Sequence, residues 1–120
     1  MRIIIETIPR DKMRYDTLGD WFFRGDELVI QVADKPAPSD QYVGHYEPFL
    51  IALHELVEVR LCQARGITQE AVDAFDLSFT GDGEPGDDPA APYRHEHRFA
   101  MIVEHMMAHE MGIVGYGSIE

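Results

Sequence analysis

Lys35-Pro36-Ala37-Pro38-Ser39-Asp40 is the stretch on which the reading of the fold turns. Two prolines in three residues remove backbone donors and bias their neighbours away from the helical region, so no regular element crosses it. On its N-terminal side the sequence is β-prone. Arg2 to Ile8 is rich in isoleucine and stops at Pro9, which predicts a strand. Asp11 to Leu18 is polar and predicts a loop. Trp21-Phe22-Phe23 and Leu28-Val29-Ile30-Gln31-Val32 flank Arg24-Gly25-Asp26-Glu27, a hairpin signal in which Gly25 supplies a positive φ. The Arg-Gly-Asp tripeptide there is turn chemistry. On the C-terminal side a long helix is expected from Tyr46 or Glu47 to Arg65, ended by Gly66. Thr68 reads as the N-cap of a short helix over Gln69 to Phe75. Gly81 to Pro89 is a loop by composition, and a last helix runs from Pro92 to Met111 before Gly112. This order predicts an α+β fold: a small antiparallel sheet, made of the N-terminal strand and the hairpin, with two long helices on one face.

The 120 residues suit one domain, with a β-rich part over 1–34 and a helical part over 46–112. Apolar residues make up 45% and charged residues 27%, the balance of a chain that folds. The net charge is −12. Such an excess repels phosphates and anionic lipid, so direct nucleic-acid binding and membrane association are not expected. Part of it lies in the solvated run Asp82 to Asp88. Cys62 is the single cysteine, which excludes an internal disulfide and the cysteine-rich zinc modules. Its apolar helical surroundings make it a small packing residue. No apolar run approaches the ~18 residues of a membrane span. The apolar run after Met1 meets Glu6 too soon for a signal peptide, and a cytoplasmic setting is expected.

Chemistry concentrates on the two long helices. His54 and Glu58 are one turn apart and project from one face, with Glu55 about 100° around from His54. The other side carries Leu50, Leu53, Leu56 and Val57. Carboxylates gathered beside an apolar stripe repel one another unless a cation joins them. On the second helix His97 and Glu104 lie seven apart on one stripe, with Ala100 between them small enough to admit a facing helix. His97 or Glu104 would complete a divalent-metal site begun by His54 and Glu58. The mixed N and O donors suit zinc, with manganese or iron as alternatives. His105 and His109 form another i,i+4 pair that competes as the ligand set. The bland alternative is an ordinary amphipathic face whose acids and histidines pair with Arg60, Arg65, Arg94 and Arg98, each pair contributing about 0–1 kcal/mol. Met101, Met106, Met107 and Met111 have helical spacing and are expected to fill the core.

His54-Glu55-Leu56-Val57-Glu58 resembles the zinc helix of zincin metalloproteases, His-Glu-x-x-His, with Glu58 in place of the second histidine. The resemblance implies His54 and Glu58 as ligands, Glu55 as general base, and His97 or Glu104 as third ligand. It also implies an edge strand of the hairpin able to hold an extended peptide. Over most of its length the chain resembles a family of small uncharacterised phage and prophage proteins. That likeness runs through His54 to Glu58, Ala74-Phe75-Asp76, and Glu84-Pro85-Gly86-Asp87-Asp88-Pro89 on to Tyr93 and His97. It implies an intracellular setting and no particular activity.

The leading expectation is therefore a metal-dependent hydrolase of zincin-like type. One alternative is a MazG-like nucleotide pyrophosphatase, with Glu55 and Glu58 holding magnesium. Another is a non-enzymatic accessory protein whose acidic surface binds a basic host partner. A methionine-rich helical face would also suit a homodimer.

Overall fold

The structure, a computed structural model, describes residues 1–37 and 46–116. The second half of the proline break, 38–40, lies outside them. The elements are β1 (Arg2–Ile8), β2 (Gly19–Arg24), β3 (Glu27–Ala33), α1 (Pro48–Ala64), α2 (Gln69–Ser78) and α3 (Arg94–Glu110), with 3-10 turns at Arg10–Lys12 and Pro85–Asp87. The α+β class is as expected, and every expected element is present within a few residues.

The sheet has the order β1-β3-β2. β2 and β3 form the expected antiparallel hairpin, pairing Trp21 with Ile30 and Phe23 with Leu28, and Gly25 turns it at φ 59°. β1, however, runs parallel to β3, with Ile3 beside Leu28 and Ile5 beside Ile30. The sheet is thus mixed, not antiparallel. Residues 9–18 carry the chain across β3 to the far edge before the hairpin returns it to the middle. Alternation within a strand fixes its faces and says nothing of its neighbour's direction. The crossing segment also covers the face away from the helices. Val29 is fully buried there, Met13 is buried, and the Arg14 guanidinium lies 4.6 Å over the Phe22 ring. Arg14 is held by Asp20 at 2.8 Å and by Asp73 of α2 at 3.1 Å.

Leu28, Ile30, Val32 and Trp21 on the other face join Ile51, Ala52, Val59 and Cys62 of α1 in one apolar cluster. α1 starts at Pro48, where the missing N–H leaves no helical bond unmade, and the Glu47 side chain accepts from the Phe49 N–H. It ends at Gly66, φ 73°. Cys62 is fully buried, and burial followed by the nearby Glu58 charge pushes its thiol up to about 12, as befits a packing residue.

α3 packs against α1 and not beside it on the sheet, so the long helices occupy successive layers. Its burial pattern is inverted. Glu96, His97, Ala100, Glu104, His105 and Ala108 are buried, whereas Phe99, Ile102 and Met106 are exposed. The methionines depart from expectation for the same reason: Met106, Met107 and Met111 lie on the outside. No helix among the described residues is long and apolar enough to cross a membrane.

Candidate metal centre

The buried stripe of α3 faces the buried polar stripe of α1, and three side chains meet there. His54 Nε2 is 3.1 Å from Glu58 Oε2 and 3.2 Å from His97 Nδ1, and the last two atoms are 3.0 Å apart. All three residues are buried, and the group could hold a metal ion. The edge of a tetrahedron with bonds of 2.0–2.1 Å is about 3.3 Å. A near-equilateral triangle of this size fits one face of such a shell, leaving a fourth position open.

Each corner is held from behind. His54 Nδ1 lies 2.8 Å from Glu104 Oε1, and Tyr116 donates to Glu104 Oε2 at 2.6 Å. An ionised carboxylate only accepts, so Nδ1 carries a hydrogen, and it is the Nε2 proton that the ring would give up to turn a lone pair to a cation in the triangle. Glu104 therefore stands one hydrogen bond behind the triangle and not in it. This is the carboxylate–histidine arrangement that fixes a ligand's tautomer. Trp21 Nε1 donates to Glu58 Oε1 at 3.2 Å, which leaves Oε2 for the two imidazoles. Tyr93 sets its ring edge-on to His97, with centroids 6.1 Å apart, and its hydroxyl donates to Asp76 at 2.7 Å.

Glu55 lies just outside the triangle, its Oε2 3.9 Å from His54 Nε2. Gly19 of β2 provides the wall there: a Cβ at that position would come within 3.1 Å of Glu55 Oε2. Burial, and then the charge on Glu58, raise the Glu55 carboxyl well above its ordinary pKa. Glu58 moves the other way. Burial opposes its ionisation, yet the hydrogen bonds to His54 and His97 bring it down to about 2. Burial likewise opposes charging of the two imidazoles. The Glu104 and Glu58 carboxylates outweigh it at His54, and Asp87, Glu58 and Glu84 outweigh it at His97, so both are raised. Protons on these rings thus occupy the place a cation would take.

The remaining sequence candidates do not converge. His105 is buried, its ring edge-on to Tyr116, while His109 is exposed on the next turn. Glu96 is paired with Arg65 at 2.8 Å, as in the plain ion-pair reading. The outer edge of β2, nearest the site, is partly occupied: Arg14 donates to the Trp21 carbonyl, and the Phe23 N–H donates to Gln69 of α2. An extended peptide would have to displace these contacts to pair along it.

Sequence reasoning passed over Trp21, Gly86, Asp87 and Tyr116. Gly86 sits so close on the imidazole that a Cβ would lie 2.6 Å from His97 Cγ. The clue was a Pro-Gly-Asp turn a short way before His97, but its composition also suits a solvated loop.

Compared with family models, curated proteins and solved structures, the chain matches none.

Proposed function

We propose that the chain is a metal-dependent hydrolase of zincin-like type, with His54, Glu58 and His97 as ligands to one zinc ion. The supporting observation is the triangle of three donor atoms 3.0–3.2 Å apart, two of them imidazole nitrogens. Zinc takes such mixed donors, and with three protein ligands it keeps a position for water whose pKa it lowers. Glu55, just outside the triangle, would be the group to accept a proton from such a water. Glu104 fixes the orientation of His54, and Trp21 that of Glu58. The zincin likeness makes an amide or peptide bond the substrate class. The same two imidazoles weigh against a MazG-like magnesium site, since magnesium prefers oxygen.

The test is Glu55→Gln in protein purified without a metal-binding tag. Turnover of amide substrates is expected to fall about 10²–10⁴-fold, with one equivalent of metal retained. Unchanged turnover in that variant refutes the base.

A second reading has its own support. The three candidate ligands are each under a tenth exposed, and two surface concavities lie elsewhere, one along Pro9–Tyr15 and one between β1 and the start of α1. A buried ion with no exchangeable water would instead brace α1 against α3 in a protein that binds a partner through its acidic surface. Water-proton relaxation on the Glu84→Gln/Asp87→Asn variant loaded with one equivalent of manganese separates the two, since only an open site relaxes bulk water.

A further inference from the structure

His97 is buried, with 7% of its side chain exposed, and each ring nitrogen has its own surroundings. Nδ1 faces the triangle. Nε2 points the opposite way, toward the 3-10 turn at Pro85–Asp87, where Glu84 Oε2 lies at 3.1 Å and Asp87 Oδ1 at 3.3 Å. Despite these distances Nε2 makes no hydrogen bond, because the oxygens stand off the direction of an N–H there. One buried nitrogen is thus left unsatisfied, facing two carboxylates that converge on it. A single ring hydrogen cannot serve both, and the carboxylates repel each other. Gly86 makes the convergence possible. With no Cβ it rests on the imidazole face, and the residues on either side reach around to the ring edge.

We propose that Glu84, Asp87 and His97 Nε2 form a second divalent-cation site, on the outer side of the imidazole whose inner side faces His54 and Glu58. The three ligand atoms lie within 4.8 Å of one another. One nitrogen with two carboxylates selects manganese or zinc over magnesium or calcium, which favour all-oxygen shells. Glu84 and Asp87 are more than half exposed. Water therefore completes the shell, and the ion binds more weakly and exchanges faster than one in the buried triangle. When both sites are filled the ring carries no hydrogen and bridges the two ions, its last proton passing to solvent. The outer site shares only His97 with the hydrolase reading and does not require that reading to hold.

The experiment is titration of metal-free protein with Mn²⁺, followed by calorimetry and by the EPR signal of free Mn²⁺. Wild type is expected to bind two equivalents, the second at least ten-fold weaker. The double variant Glu84→Gln/Asp87→Asn keeps the tight equivalent and loses the weak one. Glu58→Gln loses the tight one and keeps the weak one. A single equivalent in wild type that survives unchanged in the double variant overturns the proposal, because the acids would then only steer His97. Two equivalents persisting in the double variant overturn it as well. A weak equivalent lost in the double variant, with no tight equivalent in wild type, supports the outer site and refutes the buried one.

Discussion

The two faces of α1 are buried to similar depth, and only the one toward α3 sets a polar cluster beside its apolar contacts. Toward the sheet, Ile51, Ala52 and Val59 meet Leu28, Ile30 and Val32 in an apolar layer. Toward α3, His54 and Glu58 meet His97 and Glu104 at what would be core positions. Apolar packing is non-directional and tolerates imprecision, whereas buried charges stabilise only when every donor and acceptor is matched. One layer holds the fold together, and the other imposes a geometry on four side chains. Trp21 belongs to both, with its ring in the apolar cluster and its Nε1 on Glu58.

The largest separation between the layers should come from one substitution in each. His54→Ala removes a triangle corner and strips Glu104 and Glu58 of a partner. The tightly bound metal equivalent is expected to vanish and stability to fall by about 3–5 kcal/mol. Ile30→Ala should lower stability by about 2–5 kcal/mol through a cavity and leave metal stoichiometry intact. Chemical denaturation with elemental analysis reads both, and metal loss in Ile30→Ala would erase the distinction. Gly86→Ala comes next. Its Cβ needs space the His97 ring occupies, so the turn or the ring must shift. Metal affinity should drop about 10–100-fold, and wild-type affinity would mean that the turn yields freely.

The pH response differs by layer too. His54 and His97 have raised pKa values in the metal-free fold, so their contribution is complete below the ordinary histidine value of 6.5 and is lost as pH rises through the folded values. Tm of chelator-treated protein should decline from pH 7 to 10, while metal-loaded protein, with its imidazoles held by the ion, declines less. Parallel curves would contradict the assignment. The smallest effect is expected of Trp21→Phe, which keeps an aromatic in the apolar layer but removes the hydrogen bond to Glu58. A loss of about ten-fold in metal affinity should follow, and none would mean that Glu58 needs no orienting donor.

Much of this was legible in the sequence. Gly66 and Gly112 end the long helices, and Gly25 turns the hairpin. The spacings His54–Glu58 and His97–Glu104 placed four polar groups on facing stripes. The direction of β1 was not legible, because it depends on where the chain crosses and not on the strand's own residues. The outside position of Met106 and Met111 was hidden by the inversion of α3. Hydrophobic periodicity alone turns that helix to bury its methionines, while the polar stripe, once matched by α1, turns it the other way. Gly86, Asp87 and Tyr116 reach the site through tertiary contacts between distant segments, which local pattern cannot report.

The parallel pairing of β1 also sets an order of events. Residues 2–8 are synthesised before residues 27–33, yet Ile3 has no partner until Leu28 exists, and the hairpin between Trp21 and Ile30 can close before β1 finds its place. Through that interval Ile3-Ile4-Ile5 is an unpaired, β-prone run open to the wrong neighbour. Arg2 and Glu6 bracket it with charge, as gatekeepers do. They remain of use after folding, since β1 ends at an edge of the sheet with Ile3 and Ile5 still half exposed.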